Sequence, residues 1–100
     1  MGLLGNLFGQ KVDVAQLVKD GAVIIDVRSK GEFQQGHAKG AVNIPVDRIR
    51  DQIEKIRKFD KPVVTCCASG MRSGNAKSIL SSAGIEAHNG GPWQNVQRVL

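Results

Sequence analysis

Two short runs, Ala22-Val23-Ile24-Ile25 and Val63-Val64-Thr65-Cys66, are apolar or β-branched at successive positions and are separated by stretches with helical spacing. A strand that is apolar on both faces must be covered on both, and that is the situation of strands in parallel sheets sandwiched between helices. The remaining chain supplies such helices. Asp13 is placed to cap one whose apolar face is Val14, Leu17 and Val18, with Gly21 as its stop. Val46, Ile49, Ile53 and Ile56 give a second helical pattern after Ala41-Val42-Asn43-Ile44, a short apolar segment ended by Pro45. Ala76, Ile79, Leu80 and Ala83 form a stripe at i, i+3, i+4 and i+7, closed by Gly84. Ile85 to His88 reads as the next strand and Asn89-Gly90-Gly91-Pro92 as a break. Trp93, Val96, Val99 and Leu100 then read as a closing amphipathic helix. This alternation predicts an α/β fold with a mostly parallel sheet.

At 100 residues the chain has room for one domain with its own core. The segment Met1 to Gln10 stands apart as a tail, with residues 11–100 as the domain. Its Leu3, Leu4, Leu7 and Phe8 are apolar, but it lacks a basic leader and falls far short of a membrane-spanning length, so no stable membrane association is expected. The net charge of +5 suits an anionic partner, yet the 14 Lys and Arg are scattered without aromatic interleaving. Nucleic acid is therefore not the expected partner.

The two cysteines are adjacent, Cys66 and Cys67. Neighbouring Cα atoms lie about 3.8 Å apart, below the roughly 4.4 Å lower end for disulfides, so free thiols are expected, as in a reducing cytoplasm. Ligands of α/β sheets gather where strand ends meet helix N-termini. The segment Cys67-Ala68-Ser69-Gly70-Met71-Arg72-Ser73 occupies one such junction. A loop turning into a helix there aims amide N–H groups and the helix dipole at one point, which favours an anion. A thiol at that point gains thiolate character. Gly70 permits the positive φ of a tight turn, and Arg72 adds a permanent charge.

These residues resemble the active-site loop of the rhodaneses, Cys-x-x-Gly-x-Arg-Ser, through Cys67, Gly70, Arg72 and Ser73. Asp26-Val27-Arg28, Glu32-Phe33, Gly36-His37 and Gly40-Ala41-x-Asn43-Ile44-Pro45 resemble the family's early signature, and Asn89-Gly90-Gly91 with Trp93 its closing segment. Ala38 departs from the larger aliphatic residue common after the His. The resemblance runs from about Val12 to Leu100. It implies a three-layer rhodanese-like fold with helices on both sheet faces, and a sulfur relay that needs no metal and no organic cofactor. In that relay Cys67 is the catalytic nucleophile. It takes sulfur from thiosulfate or another small donor, holds it as a persulfide, and passes it to cyanide, a small thiol or an acceptor protein. Ala68, Ser69, Gly70, Met71, Arg72 and Ser73 form the substrate- and anion-binding loop. Arg72 holds the anionic donor if it points into the pocket, and Ser69 and Ser73 add hydroxyl donors.

Rival readings attach to the same residues. Cys66 with Arg72 also matches the Cys-x5-Arg pattern of cysteine phosphatases and arsenate reductases, although Thr65 replaces their usual His and no Asp general acid is evident. A persulfide carrier between proteins, without free turnover, is a third reading, and a non-catalytic binding module a fourth. As the strand's last residue, Cys66 is expected to turn away from the pocket. Asp26 and Arg28 are expected to be structural, with Arg28 and Glu32 as an i, i+4 ion pair. His37 is expected in a turn or the core, His88 without a partner, and Trp93 in the core. Gly90-Gly91 are expected to let the backbone pass close to the loop.

Overall fold

A computed structural model describes residues 13–100; the apolar tail and the chain up to Val12 lie outside the described residues. The elements, in order, are α1 (Val14–Lys19), β1 (Val23–Asp26), α2 (Lys30–Gln34) and β2 (Val42–Asn43). Two 3-10 turns (Val46–Arg48 and Arg50–Gln52), α3 (Ile53–Lys58), β3 (Val63–Cys67), α4 (Met71–Ser82), β4 (Ala87–Pro92) and α5 (Trp93–Gln97) follow. The four strands form one parallel sheet in the order β2-β1-β3-β4.

Alternation along the two central strands divides the core into two layers. Ile25, Val27, Val63 and Cys67 face Ile56 of α3 and Ala76 and Leu80 of α4. Ile24, Val64 and Cys66 face the other way, onto Leu17 and Val18 of α1 and onto Trp93 and Val96 of α5. Helices thus cover both faces of the sheet, and the fold is the expected three-layer α/β arrangement. Complete burial of residues such as Ile25 and Leu80 contributes about 1.5–3 kcal/mol each.

Several expected boundaries shift, each for a local reason. The stretch from Val46 begins as 3-10 turns and becomes α-helical only at Ile53. Asp13 does cap α1, its Oδ1 accepting from Gln16 N at 3.0 Å. β3 runs one residue beyond Cys66, to Cys67, with an irregularity opposite β4 between Thr65 and Cys67. The fourth strand starts later than Ile85 because Ile85 N donates to Leu80 O at 3.0 Å and Gly84 N to Ser81 O at 3.0 Å, which ties both residues to the end of α4. That strand continues through Asn89-Gly90-Gly91-Pro92 instead of breaking there. Gly90 makes this possible: a Cβ on it would lie 2.8 Å from Val64 Cγ1 and 2.9 Å from Thr65 O. α5 ends at Gln97, leaving Val99 and Leu100 outside the helix and about half exposed.

Candidate active site

Cys67 ends β3, and the next three residues turn the chain into α4. Gly70 sits at the N-cap with φ +102°, a backbone state that its missing Cβ allows. The turn is packed against β4, since a Cβ on Gly70 would lie 3.5 Å from Gly91 Cα. Gly70 N and Ser73 N both donate to Cys67 Sγ, at 3.0 and 3.4 Å. The sulfur thus stands before the first turn of a helix of 12 residues, at its positive end. Thr65 Oγ1 donates to Ser73 O at 2.8 Å and pins that first turn to β3. The Cys67 thiol donates to Ser73 Oγ at 3.3 Å.

The two thiols sit in opposite environments. At Cys67 burial opposes ionisation, but the Ser73 hydroxyl and the amides of Ser73, Gly70 and Ser69 outweigh it and bring the pKa below the usual thiol range. Burial pushes the Cys66 thiol up to about 12, with Asp26 adding to the rise and Arg28 opposing it. Cys66 packs in the layer with Ala38 and Val96, on the face away from α4. Both residues lack exposed surface.

Arg72 does not reach into the sulfur cradle. Its Nη1 and Nη2 hold Glu32 Oε1 and Oε2 at 2.7 and 3.0 Å, and both side chains are a little over one third exposed. Glu32 is therefore not the partner of Arg28. The reason lies at the start of α2, where Ser29 is the N-cap and Glu32 completes a capping box. Arg28 precedes the helix, so i, i+4 geometry does not apply to it. It pairs with Asp26 instead, Nη2 to Oδ2 at 2.7 Å and Nε to Oδ1 at 2.9 Å. Its Nη2 also reaches Gly36 O at 2.7 Å, and its guanidinium lies 5.1 Å from the Trp93 ring centroid. These contacts join β1, the segment after α2 and α5.

The other residues singled out lie around this centre. Ser69 Oγ accepts from Met71 N at 3.4 Å, and Met71 is 81% exposed, beside the loop. Ala68 completes the turn. His37 is exposed in the irregular stretch after α2, neither in the core nor in a turn, and stacks on Phe33 with Nδ1 2.7 Å from Phe33 O. His88 has a partner after all, Glu86 Oε2 at 2.9 Å, two residues away. Asn89 was not foreseen as part of the site: its side chain contacts Ser73, Gly70 and Gly91. The capping-box spacing Ser29-x-x-Glu32 signals where the Glu32 carboxylate turns. The Asn89-Gly90-Gly91 segment marks where β4 comes close to the loop, but no spacing in the sequence ties the Asn89 side chain to Ser73 and Gly70.

The rhodanese-like domain family matches residues 11–94, and the chain belongs to that family. Among its curated relatives, the thiosulfate sulfurtransferase PspE of Escherichia coli is 39% identical over 61 residues, covering 60% of this chain and 59% of the relative. A tRNA uridine(34) hydroxylase of Cytophaga hutchinsonii is 39% identical over 72 residues, which cover 68% of this chain and 23% of that protein. The chain thus spans less than two thirds of the length of either relative. A solved rhodanese with anions from E. coli superposes with a TM-score of 0.68 and 34% identity, covering 75% of this chain and 91% of that one. No helix among the described residues is long and apolar enough to cross a membrane.

Proposed function

We propose that this domain is a sulfurtransferase that carries sulfane sulfur on Cys67, from thiosulfate or a similar small donor to a thiophilic acceptor. The observation that carries the reading is the pair of amides, Gly70 N and Ser73 N, directed at Cys67 Sγ from the N-terminal end of α4. The Cys67 thiolate attacks the outer sulfur of thiosulfate. A new S–S bond forms, the old one breaks, and sulfite leaves with its electron pair. An acceptor thiolate or cyanide then attacks the outer persulfide sulfur and returns the Cys67 thiolate, giving an acceptor persulfide or thiocyanate. Amides fixed before the reaction suit each anionic stage, because they need no reorganisation as charge moves. A persulfide places the transferred sulfur about 2 Å beyond Sγ, one bond further from a side chain that itself has no exposed surface. The phosphatase reading gains little support, because Cys66 faces the opposite layer and its thiol is held protonated.

A protein-to-protein persulfide carrier is the second reading, favoured by the engagement of Arg72 with Glu32. A guanidinium with a bidentate carboxylate partner is less available to a free dianion. Thiocyanate formation from thiosulfate and cyanide tests the two readings, using wild type and Glu32→Gln. Steady turnover by the wild type supports the enzyme. Sulfur loading without turnover supports the carrier, and neither loading nor turnover contradicts both. Release of Arg72 by Glu32→Gln is expected to lower the KM for thiosulfate by a few-fold with little change in kcat.

A further inference from the structure

The Asn89 side chain, on β4, touches two residues of the sulfur cradle, Gly70 and Ser73, and Gly91 of its own strand. Its Oδ1 accepts from Gly91 N at 2.9 Å and from the Ser73 hydroxyl at 2.6 Å, and its Nδ2 donates to Gly70 O at 3.0 Å. The two backbone partners fix the orientation of the amide. A backbone N–H only donates and a carbonyl only accepts, so the oxygen of Asn89 must face Gly91 and Ser73. That orientation also fixes the Ser73 proton. A hydroxyl has one proton, and opposite an acceptor-only oxygen it points at Asn89. On its other side, 3.3 Å away, Cys67 meets a Ser73 lone pair and donates its own S–H. A thiolate has no proton to give and needs a donor in that place.

We propose that Asn89 is a positioning residue: it holds the Ser73 hydroxyl proton away from Cys67 while the sulfur is protonated, and yields it when the sulfur becomes an anion. Ser73 then works as a two-position switch, with Asn89 and the thiolate competing for one proton. The use of that switch in sulfur transfer rests on the function proposed above, but the switch itself concerns the acid–base state of Cys67 and needs no sulfur donor to observe. Other charges around Cys67 are accounted for separately. Arg72 on α4 acts on it through space and is paired with Glu32 on α2, Asp26 on β1 is paired with Arg28, and the Cys66 thiol on β3 is held protonated and carries no charge. His88, the titratable residue of β4, is held by Glu86, and the 3-10 turn beside α4 carries only the exposed Asp47 and Arg48. All of these stay constant in the variants below.

The test is the pH dependence of Cys67 alkylation by iodoacetamide. In Asn89→Asp a carboxylate grips the hydroxyl proton more firmly, and the midpoint should rise by about one pH unit, a tenfold slower reaction at fixed pH below it. In Asn89→Ala the competitor is gone and the midpoint should fall. A merely structural clamp gives the opposite sign for Asn89→Ala, since a loosened Gly70 withdraws its amide from the sulfur. Both shifts should shrink to less than half in a Ser73→Ala background, the signature of coupling through that hydroxyl. Unchanged midpoints, a rise in Asn89→Ala, or shifts of equal size without the Ser73 hydroxyl would each overturn the proposal. Failure of wild type to load sulfur would overturn the proposed function and leave these midpoints unaffected.

Discussion

Cys66 and Cys67 are consecutive on one strand, equally covered, and chemically unlike because of what stands on each side of the sheet. On the α4 side, Cys67 meets backbone donors at 3.0 and 3.4 Å and the hydroxyl of Ser73. On the α1 and α5 side, Cys66 meets Ile24, Ala38, Val64 and Val96, with the Asp26–Arg28 pair nearby. Strand alternation decides which thiol receives which environment. Burial alone therefore does not set thiol reactivity; the supply of fixed donors does.

The largest expected effect is on the contrast between the thiols themselves. Fixed donors bring the Cys67 thiol below the usual range while burial pushes the Cys66 thiol up to about 12, so at neutral pH Cys67 is much the more ionised of the two. Alkylation of the native protein, mapped by fragment mass spectrometry, should label Cys67 and leave Cys66 unlabelled. Comparable labelling of both would break the contrast. The next effect lies on the Cys66 side, where Asp26→Asn leaves the buried Arg28 guanidinium without its counter-charge. A loss of about 3–5 kcal/mol is expected in denaturant unfolding. A loss below 1 kcal/mol would mean that the pair does not organise this layer.

The strand pattern made much of this legible. The β-branched runs at Val23–Ile25 and Val63–Thr65 mark the two central strands, and one step of alternation separates Cys66 from Cys67. The Gly70 turn at the strand end likewise points to the amide cradle. What stayed hidden depends on side chains from distant segments. Glu32 reaches Arg72 across 40 residues, and Asn89 reaches Ser73 across 16, so neither pairing leaves a local periodicity. The late start of β4 was hidden for another reason. Ile85 is apolar and β-branched, as a strand residue would be, yet its N–H closes α4 and its side chain fills the core beneath the helix.

A smaller effect sharpens the comparison where the two layers meet. Gly90→Ala places a methyl against Val64 Cγ1 and Val96 Cγ2 on the Cys66 side and against the Thr65 carbonyl. Overpacking of about 1–3 kcal/mol is expected in the same unfolding measurement, and a neutral result would show that β4 can move away from β3. The smallest effect concerns acid. The Arg72 guanidinium, through its hydrogen bonds, holds Glu32 at about 2 against an ordinary 4.5. Because the folded value is the lower one, the stabilisation is complete above 4.5 and is lost as pH falls toward 2. The difference in stability between wild type and Glu32→Gln should narrow across that window; a constant difference would contradict the pairing.

The central claim, that Cys67 and not its neighbour carries sulfur, is tested most directly by intact-mass measurement after incubation with thiosulfate. Wild type and Cys66→Ser should each gain one sulfur atom, removable by cyanide, and Cys67→Ser should gain none. Sulfur retained in Cys67→Ser and lost in Cys66→Ser would contradict the account.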